Sequence, residues 1–183
     1  MSTSVGLLEV GSLSRGIQIA DGCLKTADIT LTIRTTCPGK MFLILSGEIS
    51  AVQSAVEQAK ETSAQSITNS ILLGNIHPDV LPALSGVSDL PSEDRAAMGI
   101  IETFSVIAAL HAADTAAKAA QIRIIDIRPA YGLGGKGLVI FTGSVGDVQT
   151  ALEHVIALLK EEGDLLDAVA IPAPHACLWE QLA

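Results

Sequence analysis

The chain has 183 residues, of which 49% are hydrophobic, 17% charged and only 3% aromatic, and its net charge is −9. That length suits one ordinary domain or two small ones, and the apolar content excludes a disordered chain. An acidic chain with five aromatic residues has neither the basic patch nor the stacking platform of a nucleic-acid binder, and no apolar run approaches the roughly 18–20 residues needed to cross a membrane.

The N-terminal Met1-Ser2-Thr3-Ser4 has no basic flank or signal-type core, so a cytoplasmic location is expected. Three cysteines, Cys23, Cys37 and Cys177, form no even disulfide framework, which fits a reducing compartment.

An internal repeat organises the chain. Gly6-Leu-Leu-Glu9 answers Gly99-Ile-Ile-Glu102 at an offset of 93, which also pairs Ser12 with Ser105, Asp21 with Asp114 and Lys25 with Lys118. From Gly39-Lys40 and Gly135-Lys136 onward the offset is 96, so the second copy carries three extra residues in the loop before Gly135. The copies are expected at 4–84 and 97–182, joined by a Gly-, Ser-, Asp- and Pro-rich linker over 85–96.

Each copy opens with a short apolar strand, Val5 to Val10 or Gly99 to Thr103. A helix follows, with Ser12 or Ser105 at its N-cap. Spacing of four and three predicts a buried stripe of Leu13, Ile17, Ala20, Leu24 and Ala27, matched by Val106, Leu110, Ala113, Ala117 and Ala120. In the first copy the next strand alternates Ile29, Leu31 and Ile33 with Thr30, Thr32 and Arg34. After a loop come a dense apolar strand (Met41 to Ser46; Leu138 to Thr142) and a second helix. That helix's inward face is Val52, Ala55, Val56 and Ala59, or Val148, Ala151, Leu152 and Val155. A last strand (Ser70 to Ile76; Ala168 to Ile171) leads to a short helix after Pro78 or Pro174.

The order βαββαβ plus a terminal helix, twice over, predicts an α+β sandwich of two ferredoxin-like units. The sheet's second face, or the helices, would find cover by association. Cys23 and Cys177 read as buried structural thiols, and His77 and His175 as caps or edge contacts. His111, His154 and the acidic run near Asp164 read as solvated, and duplicated Glu9 and Glu102 as architectural. Gly132-Leu-Gly134-Gly-Lys-Gly137 fits a G-x-G-x-x-G string but precedes a strand rather than a helix, so it is no dinucleotide fingerprint. No acid–base pair or nucleophile constellation is readable, and no enzyme is expected.

On these residues the chain resembles the shell proteins of bacterial microcompartments. The resemblance is carried by Gly-x-x-Glu in the opening strand, by Asp21…Lys25…Ala27 and Asp114…Lys118…Ala120, and by Ile-Pro-x-Pro-His from Ile171 to His175. It departs at Ile76-His77-Pro78 and at Ala173, where the family often has arginine. The resemblance implies unpermuted shell domains and a homotrimer, in which six domains round a threefold axis form a pseudo-hexameric tile in the shell of a cytoplasmic microcompartment. It places Thr36, Cys37, Pro38 and Gly39 of one copy, and Tyr131, Gly132, Leu133, Gly134 and Gly135 of the other, around a central pore. It also places Lys25, Lys118 and His175 at edges where other shell proteins meet the tile.

Cys37-Pro38-Gly39-Lys40 further resembles a tandem-domain branch of the family whose pore loop carries an iron–sulfur cluster. That likeness implies a [4Fe-4S] cluster shared by three subunits, one Cys37 from each, with the fourth iron left for water or an outside ligand. Electron transfer to encapsulated redox enzymes, cluster delivery and sensing are the roles implied, in a compartment for diols or related substrates. Lys40 has a counterpart in Lys136, where no cysteine stands, and reads as structural rather than as a countercharge for the cluster. A metal-free tile with a metabolite pore, zinc held by three cysteines and a water, and a nucleotide-binding ferredoxin-like trimer are the alternatives.

Overall fold

The computed structural model describes residues 3–37, 39–86, 96–129 and 133–182. The chain divides into two units, one ending at Ile76 and the other beginning at His77. The first contains β1 (Ser4–Val10), α1 (Leu13–Thr26), β2 (Thr30–Thr36), β3 (Lys40–Gly47), α2 (Ile49–Ser63) and β4 (Ile67–Leu73). The second begins with α3 (Val80–Leu84) and continues with β5 (Ala97–Thr103), α4 (Val106–Ala119), β6 (Ile122–Pro129) and β7 (Gly137–Gly143). It ends with α5 (Val145–Glu162), β8 (Leu165–Pro172) and α6 (Ala176–Leu182). Each unit holds one four-stranded sheet, in the orders β2-β3-β1-β4 and β6-β7-β5-β8, with every pairing antiparallel. The expected βαββαβ order therefore holds in both copies.

The period-two alternation of a strand sends Leu8, Val10, Met41, Leu43 and Leu45 toward the helices, where they pack with Ile19, Ala20, Cys23, Val52, Ala55, Val56 and Ala59. The stripe expected on the second helix of each copy is buried in full. The stripe expected on the first helix is not. Leu13, Ile17 and Leu24 are 42%, 60% and 50% exposed, and α1 instead buries Gly16, Ile19, Ala20 and Cys23. Both sets recur at helical spacing about a quarter-turn apart, so periodicity alone does not decide which faces the sheet. In α4 the counterparts Val106, Leu110, Ala113 and Ala117 are buried together with the inner face.

Part of the second sheet's other face is covered within the chain. Trp179 of α6 packs on Met98, Ile125 and Ile140, with Ile100, Leu138 and Leu182 around it. In the first sheet β1 is buried at all seven positions, so both faces of that central strand are covered. Both copies leave their last strand through a left-handed residue, Asn75 (φ +53°) and Ala173 (φ +46°), so the repeat extends to backbone conformation.

Ser105 caps α4 as expected, its hydroxyl accepting from the Ala108 N–H at 3.1 Å. Ser12 occupies the same position on α1 without a side-chain cap bond.

α3 buries Val80, Ala83 and Leu84 in the second unit, against β6. Two polar contacts fasten the segment before it. The His77 N–H donates to Asp114 at 2.8 Å, and Arg123 meets Asp79 at 3.1 Å. Asp114 is 4% exposed and also binds Lys118 at 2.6 Å. Asp21 and Lys25 repeat that pair at 2.6 Å in the first copy, but on the open surface. Asp114→Ala leaves the half-buried His77 N–H without its acceptor and Lys118 without its partner, and is expected to cost the second unit about 1–3 kcal/mol. Asp21→Ala is expected to cost less than about 0.5 kcal/mol. Urea unfolding of the two variants side by side checks the contrast.

Candidate functional site

The β2–β3 hairpin closes at Thr36 and Lys40, so its loop has three residues, 37 to 39. The Gly39 N–H donates to the Thr36 carbonyl at 2.9 Å, and Gly39 has φ +84°, a left-handed conformation that favours glycine. Nothing lies within 4 Å of where a Gly39 Cβ would be. Thr36 is buried and Cys37 exposed. Pro38 lies outside the described residues. A tight, glycine-closed turn thus holds a thiol at the tip of a paired ribbon.

Lys40 stands at the foot of this turn, with Nζ 3.8 Å from the Glu9 carboxylate, which is itself buried. The lysine charge is directed to Glu9, in keeping with a structural role. The other thiols are elsewhere. Cys23 is fully buried on α1, donates to the Ala55 carbonyl at 3.5 Å, and has its pKa raised by burial. Cys177 is exposed on α6, which corrects the expectation of a second buried thiol. Among the described residues no three His, Cys, Asp or Glu side chains of one chain converge as a metal site.

The β6–β7 hairpin has the longer loop, 130 to 136. Tyr131 and Gly132 lie outside the described residues. Leu133 to Lys136 form a turn, the Lys136 N–H donating to Leu133 at 3.3 Å. Gly134 (φ +64°) and Gly135 (φ +95°) give it the signs of a type I′ turn. Leu133, Lys136 and Glu102 line a small cavity of about 260 Å³ beside it. β7 follows directly, so the glycine string opens a strand and no phosphate-binding helix.

Lys25 and Lys118 sit in the last turns of α1 and α4, at the end of each unit opposite the hairpin loops. His175 accepts from the Cys177 N–H at 3.3 Å at the start of α6, and His77 accepts from the Asp79 N–H at 3.3 Å. His175 thus caps α6, while His77 braces the turn before α3. His111, expected to be solvated, lies 3.3 Å from Glu162, so this part of the acidic helix end is paired.

The model of the BMC domain matches residues 4–76 and again 97–174. The chain belongs to the BMC-domain family of bacterial microcompartment shell proteins. It is 38% identical to the bacterial microcompartment shell protein PduT of Citrobacter freundii, over all of this chain and 98% of that one. The shell protein EutM of Salmonella typhimurium is 30% identical over 84 residues, which is 46% of this chain and 85% of EutM. The matched part of EutM thus has about the length of one unit here. The crystal structure of a microcompartments protein from Desulfitobacterium hafniense superposes with a TM-score of 0.90 at 41% identity, covering 98% of this chain and 99% of that one.

Three features of this BMC pair escape a reading of one copy at a time: the outward stripe of α1, the burial of Asp114, and the fastening of residues 77–84 to the second unit. The signal for the first was in the sequence, because α1 carries two apolar faces. The other two depend on tertiary placement.

Proposed function

We propose that three copies of this shell protein close into a pseudo-hexameric tile, and that their Cys37 thiolates together hold a [4Fe-4S] cluster at its centre. The observation that carries the reading is Cys37 itself, an exposed soft ligand at the tip of a three-residue hairpin turn. One chain offers a single thiol there, while a cubane takes three or four. A threefold axis turns one thiol into three. Cys23 is too deeply buried to contribute, and Cys177 lies on a separate element.

Ring closure has its own support. The outer face of α4 is buried in the chain, while the same face of α1 shows Leu13, Ile17 and Leu24 to solvent. An apolar face left open in one repeat and covered in the other is what a ring of identical chains would fill. When bound, the cluster would supply one-electron chemistry at the pore, which suits electron transfer between the two sides of the shell. The chain's own part is to present the thiols, to brace the turn through Gly39, and to hold Lys40 on Glu9.

The test is iron and acid-labile sulfide on anaerobically purified protein. About four of each per trimer are expected, with both lost in Cys37→Ser while the trimer persists. Iron retained by Cys37→Ser overturns the assignment of the ligand. A well-folded wild-type trimer without iron or sulfide leaves a tile whose pore passes small metabolites.

A further inference from the structure

The repeat sets one carboxylate and one lysine at matching positions of the two units, and only the first unit pairs them. There Glu9 of β1 stands opposite Phe42 of β3, and Lys40 precedes Phe42 by two residues. Residues two apart on a strand share a face, so Lys40 reaches the buried Glu9 carboxylate at 3.8 Å. In the second unit Glu102 of β5 stands opposite Leu138 of β7, again with a lysine, Lys136, two residues earlier.

Two changes separate the second pair. Lys40 belongs to the ladder, opposite Thr36, whereas Lys136 lies outside β7 in the turn that its N–H closes on Leu133. The fully buried Phe42 also gives way to the smaller Leu138, which is half-buried. Where the first unit has an ion pair, the second has the cavity of about 260 Å³ lined by Glu102, Leu133, Lys136, Gly137 and Leu138. Among the described residues, no ion pair or side-chain hydrogen bond engages the Glu102 carboxylate or the Lys136 ammonium.

A half-buried carboxylate without a partner is destabilising, and in the first unit the lysine offsets that cost. The second unit instead leaves both charges lining one space, with two leucines beside them. Such a space suits a molecule whose ends carry opposite charge: an ammonium for Glu102, a carboxylate for Lys136, and a short aliphatic stem against Leu133 and Leu138. A simple anion or a lone cation would satisfy one of the two groups and be repelled by the other.

We propose that this cavity binds a short aliphatic amino carboxylate in that orientation. The site lies wholly within the second unit, so it rests on neither the tile nor the cluster. It is tested on the full chain, with leucine methyl groups isotopically labelled, by NMR titration with β-alanine and 4-aminobutyrate. Propionate, which lacks the ammonium, and propylamine, which lacks the carboxylate, are titrated beside them.

Saturable shifts of the Leu133 and Leu138 methyl signals are expected with a Kd of about 1 mM for the better amino carboxylate. Propionate and propylamine are each expected to bind at least about fivefold more weakly. Glu102→Gln is expected to erase the preference over propionate while keeping that over propylamine, and Lys136→Met to do the reverse. A general folding defect would not produce that crossed loss, and unchanged Leu8 and Leu43 signals report an intact first unit. Leu133 and Leu138 signals that stay in place up to about 20 mM of either amino carboxylate overturn the proposal. So do propionate or propylamine binding as tightly as the amino carboxylates, or shifts of equal size at Leu8 and Leu43.

Discussion

Ile17→Glu is expected to reduce the proposed trimer to monomers while its circular dichroism stays that of the native chain. Ile17 is the most exposed of the three apolar residues on the outer face of α1, at 60%. Removing its share of buried surface at an interface costs about 1–2 kcal/mol. Forcing a carboxylate without a partner into that interface adds several more. Together, about 3–5 kcal/mol per contact weaken association by a factor of roughly 10²–10³ or more. Leu110→Glu, at the corresponding place in the second copy, enters a side chain that is fully buried within the chain, and is expected to unfold the second unit instead. Light scattering and native mass spectrometry separate the two results. An Ile17→Glu protein that remains a trimer at micromolar concentration removes this face from the interface.

Most of the fold was legible because the sequence states it twice. A helix stripe such as Val52, Ala55, Val56 and Ala59 is a weak signal alone. Its recurrence as Val148, Ala151, Leu152 and Val155 fixes both the element and its inward face, and all eight are buried. The repeat misled where the copies have diverged in environment. Leu13, Ile17 and Leu24 align with buried residues of α4, so the alignment transferred burial that belongs to the second copy alone. Asp21 and Asp114 read identically with Lys25 and Lys118, yet one pair is solvated and the other anchors the backbone of His77. Residue type and spacing do not encode which copy receives a cover.

The candidate site was legible for a different reason. A Cys-Pro-Gly-Lys turn between two apolar strands is local chemistry, and hairpin loop length follows from strand register. The structure gives the loop three residues and an exposed thiol. The contact of Lys40 with Glu9 lay beyond that local signal, since it joins β3 to β1.

Gly137→Ala is expected to destabilise the second unit by about 2–4 kcal/mol, the range of an overpacked core site. Gly137 begins β7 where the N-terminal turn of α4 crosses it. A Cβ there would lie 2.5 Å from the Ala109 Cβ, 2.7 Å from the Thr103 hydroxyl and 2.9 Å from the Ser105 carbonyl. None of the three can yield cheaply. Ala109 and Thr103 are fully buried, and the Thr103 hydroxyl donates to Ser105 at 2.7 Å, which ties the strand to the helix start. Relief requires α4 to lift from the sheet, breaking that bond and opening the core beneath it. Gly22→Ala supplies the control. Its Cβ would meet only the amide end of Gln58, at 3.1 Å, and a mid-helix alanine regains about 0.5–1 kcal/mol. The net change there is expected within about 0.5 kcal/mol. Hydrogen–deuterium exchange should confine the Gly137→Ala loss to β5, α4 and β7, leaving the first unit's amides as protected as in the parent. Protection of α4 equal to the parent's would mean that the helix start has room that the packing at Gly137 denies.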